Sequence, residues 1–546
     1  MPDHDSHPTA FPRLSEAQMA CVAERGQPVT FADGEVLFEF GQENCACYFI
    51  KSGAVRILES SCGEAREIVV HREHEFSGDI DVLTGRPVVV TGIACRPTEA
   101  YRFSGQELRR LLSDIPELSE MLLEAFYARR KLLLERGYEG IKVVGSARSR
   151  ETLALREFFY RNYIPYKFLD TDEPSAEKLL GVWNASREDT PIVACHKHVL
   201  RRPAVTQIAD CMDISRTIDD QLYDLVIVGA GPAGLSAAVY AASEGLSTVV
   251  VDRVGPGGQA GSSSRIENFI GFPAGISGVD LANRGYLQAI KFGAQFTAPV
   301  SVHALEQTAD GEHRLRLCTG TTVRARCVLV ATGVSCRQLG IEGCDRLEGA
   351  GVYYAATSVE SRVCRNSTAV VVGGGNSAGQ AAQFLAQHAQ RVIVVIRGND
   401  LSKSMSRYLV DRLTSNPRIE VRQNTEVDGV DGEAALQSIR LRNNRSGETE
   451  TLDCAAVFIF IGAKPHTDWL PPSVRLDDKG FVMTGSALRS DALWSRTDRA
   501  PCDLETTLPG VMAAGDVRAG TTKRCGFAVG DGSLAISCVH RYLSGI

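Results

Sequence analysis

Leu225-Val226-Ile227-Val228 runs directly into Gly229-Ala230-Gly231-Pro232-Ala233-Gly234, and a helical stretch from Leu235 to Tyr240 follows. A buried-strand run, a G-x-G-x-x-G turn and a helix in that order make a dinucleotide-binding opening. The first glycine permits the tight turn, the second lets the backbone approach a pyrophosphate, and the third lets helix pack on strand. The helix N-terminus then faces the anion. A second strand, Thr248-Val249-Val250-Val251, ends in Asp252, a carboxylate about twenty residues downstream, where it accepts hydrogen bonds from an adenosine ribose. Gly229, Gly231, Pro232, Ala233, Gly234 and Asp252 are therefore the first candidate site.

A similar opening begins at Ala369-Val370-Val371-Val372, with Gly373-Gly374-Gly375-Asn376-Ser377-Ala378 as a G-x-G-x-x-A variant. Its next strand, Val392 to Ile396, ends in Arg397 where Asp252 stands in the first. A cation there suits a 2′-phosphate that a carboxylate would repel. Gly373, Gly375, Asn376, Ser377 and Arg397 are thus expected to take NADPH, with NADH not excluded; the alternative is that Arg397 only caps a surface strand. One acid-ended and one Arg-ended site suggest a flavin held permanently and a nicotinamide that comes and goes, with hydride passing between them.

The chain that must position these turns has 546 residues, room for about three or four domains. With 59 Lys+Arg against 66 Asp+Glu, its charge of −7 removes the broad attraction of a nucleic-acid or anionic-membrane binder. No apolar run reaches the roughly 18 to 20 residues of a membrane helix. The 16 cysteines include no Cys-x-x-Cys and follow a polar start, so they read as reduced cytoplasmic thiols without a bridge framework. Cys45-x-Cys47 and His196-x-His198 lack a partner pair, so no metal site is expected. Short β-like runs (Cys47 to Ile50, Ala54 to Leu58, Val88 to Val90) fill the first segment, and helical spacing runs from Gln106 to Arg136. A new βαβ opening follows: a strand at Ile141, a helix from Arg150 to Arg161, and a strand at Tyr166 to Asp170. Ser215 to Gln221 reads as a polar linker.

From about residue 220 to the end the chain resembles the low-molecular-weight thioredoxin reductases. Beyond the two glycine turns, the likeness rests on Gly257-Gly258-Gln259, Ile266-Glu267-Asn268-Phe269, Ala331-Thr332-Gly333, Ala514-Gly515-Asp516-Val517 and Lys523-Arg524. The resemblance implies a split FAD domain (222–336 and 463–546) with an NAD(P) domain inserted (337–462). It implies FAD contacts from Gly258, Gln259 and Asn268 near the flavin ring, from Gly515 and Asp516 on the ribityl or pyrophosphate region, and from Lys523 and Arg524, which replace the family's Arg-Gln. The family's His-Arg-Arg for the 2′-phosphate is Ile396-Arg397-Gly398 here, keeping one arginine. The family's Cys-Ala-Thr-Cys is replaced by Tyr354-Ala355-Ala356-Thr357-Ser358, so the usual flavin-to-disulfide relay lacks both thiols. Cys364 is the nearest remaining thiol and the candidate catalytic residue, against a plain core role; Cys336, Cys344 and Cys525 come behind it.

Two further resemblances complete the organisation. Residues 1–137 resemble a cyclic-nucleotide-binding domain in Gly34-Glu35-Val36-Leu37-Phe38, Tyr48 to Gly53 and Ser77 to Pro87, with Asp79 for the cassette's Glu. Val88 stands where its phosphate-binding Arg would fall, and Arg86 two residues early. Residues 140–214 resemble a glutaredoxin or thioredoxin-like domain, with Thr190-Pro191 at its cis-proline position but Gly145 to Arg150 in place of a redox turn. The expected fold is multidomain: a β-barrel, an α/β thioredoxin-like domain, and two Rossmann-like three-layer α/β domains for FAD and NAD(P). The expected function is a FAD-dependent NAD(P)H oxidoreductase of thioredoxin-disulfide reductase type, cytoplasmic and homodimeric. Its acceptor is open, a thioredoxin-like protein or a ferredoxin. The alternative is a redox or cyclic-nucleotide-responsive sensor with little turnover.

Overall fold

The computed structural model describes residues 7–545 except 62–63, 136–137, 196–197, 213, 215–217, 358, 492–493 and 495–498. Two compact units divide the chain. The first takes the chain up to Ser146, Asn162–Thr217 and Leu287–Pro299; the second takes Ala147–Arg161, Ile218–Tyr286 and Val300–Ile546.

The first unit's antiparallel sheet is carried by Cys47–Ser61 and Thr91–Phe103. Gln27–Phe31 and Val36–Phe38 pair with the latter, Glu64–Arg72 and Phe76–Ser77 with the former. Alternation sends Tyr48 and Ile50, then Val55 and Ile57, into one core, and bulges between Ile50 and Val55 reset the phase. Among the described residues the pairings run as an open path. Val88 to Val90 form no strand. Val88 and Val89 are buried in a turn, with Val88 N donating to Gln42 O, and the strand starts at Thr91. The expected long helix is two, Gly105–Asp114 and Pro116–Glu135, because Pro116 has no N–H to continue the first; its expected end, Arg136, and the linker residues Ser215 to Thr217 lie outside the described residues.

Beyond it, a mixed sheet orders His198–Arg201, Ile192–Cys195, Ile141–Gly145 and Lys167–Asp170, with the last pair parallel. Thr190–Pro191 is a cis peptide. The helix Arg150–Arg161, which the chain order places between two of these strands, belongs by its contacts to the second unit.

In the second unit Thr248–Val251, Leu222–Val228 and Thr322–Val330 lie side by side and parallel, with Val511–Ala513 alongside Thr322–Val330. Continuous Val, Ile and Leu runs suit strands buried on both faces, and Val226, Val249, Val328 and Val511 share one core. The segment between Thr322–Val330 and Val511–Ala513 builds a second parallel sheet. Its order is Val352–Tyr353, Ala456–Ile459, Thr368–Val372, Arg391–Val395 and Ile419–Arg422.

Candidate functional site

The first glycine turn is held by its neighbours before any ligand is considered. Gly229 has φ +109°, which a side chain would strain, and its N–H donates to Val251 O at 2.8 Å. Asp252 Oδ2 accepts from Ala230 N at 2.8 Å, while Oδ1 accepts from Val254 N at 2.9 Å and Gly255 N at 2.8 Å. Three of its roughly four acceptor positions therefore hold backbone. The expected ribose acceptor is also a clamp on the turn. The helix Pro232–Ser243 starts with Pro at its first turn, where a missing N–H costs nothing.

Two distant segments close over this turn. Gly257 N donates to Ala230 O at 2.8 Å, and Gly258 lies so near that a Cβ on it would fall 2.9 Å from Gly231 Cα. Gly515 N donates to Asp531 Oδ2 at 3.0 Å, and Arg518 grips Asp531 through Nε and Nη2 at 3.0 and 3.1 Å. Asp531, on the helix Cys525–Leu543, thus fixes the Gly515-Asp516 turn, and sequence reading missed it because no motif marks it. Burial pushes the Asp516 carboxyl up, with Lys523 opposing, and burial pushes Lys523 down; Lys523 Nζ sits 3.9 Å from the Phe481 ring centre.

A cavity of about 1230 Å³ runs along both turns. Gly229, Gly231, Pro232, Ala233, Asp252, Gly258, Gln259, Asn268, Gly515, Asp516, Lys523 and Arg524 line it, as do Asn376 and Ser377 of the second turn. Gly234, Gly373 and Gly375 do not; a Cβ on Gly234 or Gly373 would strike a backbone oxygen at 1.8 or 2.4 Å, so those two serve the turns' packing. Asn376 ties its helix to Ser406, accepting from Ser406 N at 2.7 Å. Arg397 is exposed just past Arg391–Val395, and its side chain makes no hydrogen bond or ion pair among the described residues.

The structure corrects the thiol expectation. Cys364 is fully buried in the core of the second sheet, off the cavity, and burial pushes its thiol up to about 12. A thiol so enclosed neither ionises nor meets a substrate. Cys336 and Cys525 line the cavity instead; burial raises both, Cys525 to about 11 with help from Asp516. Tyr354, Ala355, Ala356 and Thr357 line it where the resembling family keeps its dithiol, and Ala356 bridges to Ser263; Ser358 lies outside the described residues. Glu360, unmarked by any motif, lines the same wall. Thr357 N and Oγ1 donate to its Oε2 at 2.7 and 2.5 Å, and burial pushes the carboxyl up against them. Leu153, Glu157, Tyr160 and Arg161 of the helix Arg150–Arg161 also line the cavity, unforeseen because that helix belongs to another module in chain order.

The absence of bridges was also wrong. Cys502 and Cys538 form a disulfide across 36 positions with Cα atoms 5.8 Å apart. Arg499, paired to Glu505 at 2.7 Å through both Nη atoms, and Cys502 N, donating to Glu505, shape the loop that meets the helix. Sequence spacing does not register such a contact. No group of metal-ligating side chains occurs among the described residues.

In the first unit the cassette's charges face inward. Asp79 accepts from Arg130 at 2.6 Å and from Asp81 N at 3.0 Å, and Arg130 also meets Asp81 at 2.5 Å. Arg86 Nη1 donates to Asn162 O at 3.0 Å.

Two glycine turns opening on one cavity, an acid after the first and a free arginine after the second, define a two-nucleotide oxidoreductase. Residues 223–532, more than half of the chain, match the model of the pyridine nucleotide-disulphide oxidoreductase family, and the chain belongs to that family. It is a FAD-dependent NAD(P)H oxidoreductase. Residues 28–114 match the cyclic nucleotide-binding domain. A thioredoxin reductase of Treponema pallidum is 35% identical over 322 residues, covering 59% of this chain and 97% of the relative. One from Streptomyces clavuligerus is 34% identical over 324 residues, 59% and 94%. The crystal structure of Lactococcus lactis thioredoxin reductase matches with TM-score 0.53 at 26% identity, covering 59% of this chain and 100% of that one. No helix among the described residues is long and apolar enough to cross a membrane.

Proposed function

We propose that this chain is an NADPH-driven flavin reductase whose acceptor comes to the flavin itself, without an intervening dithiol of the chain. The observation that carries this reading is the cavity wall at Ala355 to Thr357. It stands beside both nucleotide turns and offers no thiol pair. The residues fit FAD: Gly231, Gly258 and Gly515 leave a backbone cradle at the helix N-terminus, Asp252 keeps an acceptor position, and Asp516 faces the same space. Bound there, FAD would take hydride from the nicotinamide and pass electrons to the acceptor. Asn376 and Ser377 open the helix that receives a dinucleotide phosphate, and Arg397 receives the 2′-phosphate. Glu360 stands at the cavity wall, its carboxyl pushed up by burial and its Oε2 accepting from Thr357. A thioredoxin-like disulfide and a ferredoxin-like one-electron carrier are the two acceptor classes put forward.

Anaerobic stopped-flow with NADPH, then NADH, followed by thioredoxin or ferredoxin, tests the reading. Bleaching of bound flavin, faster with NADPH, and reoxidation by one of the two acceptors is the expected result; no bleaching by either nucleotide removes it. We read the first unit as having kept the cyclic-nucleotide-binding domain without its phosphate site, since Asp79, Arg130 and Arg86 already pair internally. Heat on titrating cAMP or cGMP would reverse that reading. Exposed Phe527 and Leu534, seven residues apart on one helix, support a homodimer, which light scattering measures. The 13 free cysteines among the described residues support a cytoplasmic setting.

A further inference from the structure

The helix Arg150–Arg161 ends on an arginine that reaches the first nucleotide site. Arg161 Nη1 donates to Gly258 O at 2.8 Å, across 97 positions of sequence. The rest of its fork is held by Glu157 one turn earlier, with Nε at 2.9 Å and Nη2 at 2.7 Å from the same carboxylate oxygen. The side chain is 15% exposed. A planar guanidinium suits this task, because one edge grips the carboxylate while the other points a fixed donor at the carbonyl. The next residue is fixed separately: Asn162 is buried, and its carbonyl accepts from Arg86.

What Arg161 holds is a close approach of two backbone turns. Gly258 has φ +52°, and a Cβ on it would meet Gly231 Cα at 2.9 Å, so the two turns have no slack between them. Gln259 follows directly, its Nε2 donating to Val334 O at 2.9 Å. Displacing the Gly258 carbonyl therefore changes the gap over Gly231 and the direction of Gln259, both on the cavity.

We propose that Arg161 is a positioning residue for the flavin: it pins the Gly257-Gly258-Gln259 turn over Gly231, so a segment outside the two nucleotide domains sets how tightly the cofactor is held. The proposal rests on the reading of this cavity as the FAD site. Its geometry does not come from the glycine motifs, and it places part of the flavin's support in the N-terminal half of the chain.

Full-length protein stripped of flavin is titrated with FAD by fluorescence quenching, with the visible spectrum and thermal melting recorded on each variant. Arg161→Met is expected to bind FAD about tenfold more weakly, the low end for a lost charge-assisted hydrogen bond, with shifted flavin absorbance. Arg161→Lys, which keeps one charged donor, recovers most of the affinity, and Glu157→Gln, which frees the fork, falls between. If Arg161→Met fails to fold, the other two decide: both matching wild type in affinity and spectrum overturns the proposal. Arg161→Met within twofold of wild type and spectrally unchanged overturns it alone. A wild-type chain that binds no FAD overturns the site reading, and the proposal with it.

Discussion

Two glycines three positions apart in the first turn should fail in different ways. A Cβ on Gly234 would fall 1.8 Å from Gly229 O, where contacts under 3.0 Å essentially never occur, so the backbone must open by the 1.2 Å difference. Gly229 O is main chain and the added Cβ is fixed by the helix backbone, so nothing flexible yields. Overpacking of this kind costs about 1–3 kcal/mol, and the upper end applies here. For a unit of about 330 residues that is a fall of roughly 4 °C in melting temperature. A Cβ on Gly231, by contrast, meets only Gly258 Cα at 3.8 Å, and its φ of −73° and ψ of −178° suit alanine. Gly231→Ala should therefore leave the flavin-free protein within about 0.5 kcal/mol of wild type. It should still lose FAD by tenfold or more, because its methyl fills the space into which the pyrophosphate must come. Differential scanning calorimetry of flavin-free protein and FAD titration separate the two. Gly231→Ala melting as low as Gly234→Ala, or binding FAD as wild type does, would refute the assignment of Gly231 to pyrophosphate approach.

Arg397→Ala should raise KM for NADPH about tenfold or more and leave KM for NADH unchanged, measured by steady-state kinetics, since a lost charge-assisted contact is worth about 1.5–3 kcal/mol; an equal effect on both would return Arg397 to a surface cap. Cys364→Ser should leave flavin reduction and acceptor turnover intact and cost only stability, about 1–3 kcal/mol for a hydroxyl in that core; lost turnover in a folded variant would restore the thiol. Burial pushes His313 down to about 4 from 6.5. The unfolded chain therefore takes up its proton first, and stability from this residue is complete above about pH 6.5 and lost as pH falls toward 4. Wild type should lose about 3 kcal/mol more than His313→Gln across that window, read from urea unfolding at each pH; parallel profiles would count against a neutral buried imidazole.

How much was legible follows from the range of the interactions. The glycine turns, Asp252 and the parallel strands were readable because strand, turn and helix form one contiguous unit whose physics is local. Helical apolar spacing runs on through Ile115-Pro116 although Pro116 cannot donate, so spacing alone does not mark the break between the two helices. Val88 to Val90 looked like a strand because burial and pairing demand the same residue types. Cys364 was favoured for its closeness in sequence to the missing dithiol, while the cavity selected Cys336 and Cys525, which sequence order ranks lower. Asp531, Glu360 and Arg161 carry no motif, since each acts on a segment far away in the chain.

By itself the sequence determined that the chain carries two dinucleotide-type glycine turns, that the strand after the first ends in an acid and the strand after the second in a cation, and that no Cys-x-x-Cys stands between them. These follow from covalent neighbours alone. Only the tertiary structure decided which thiols face the cavity, that Cys502 and Cys538 are joined, that Asp79 and Asp81 pair with Arg130, and that Arg161 reaches the Gly258 carbonyl. Each depends on two segments meeting across tens to hundreds of residues, and proximity of that kind is set by how the whole core packs.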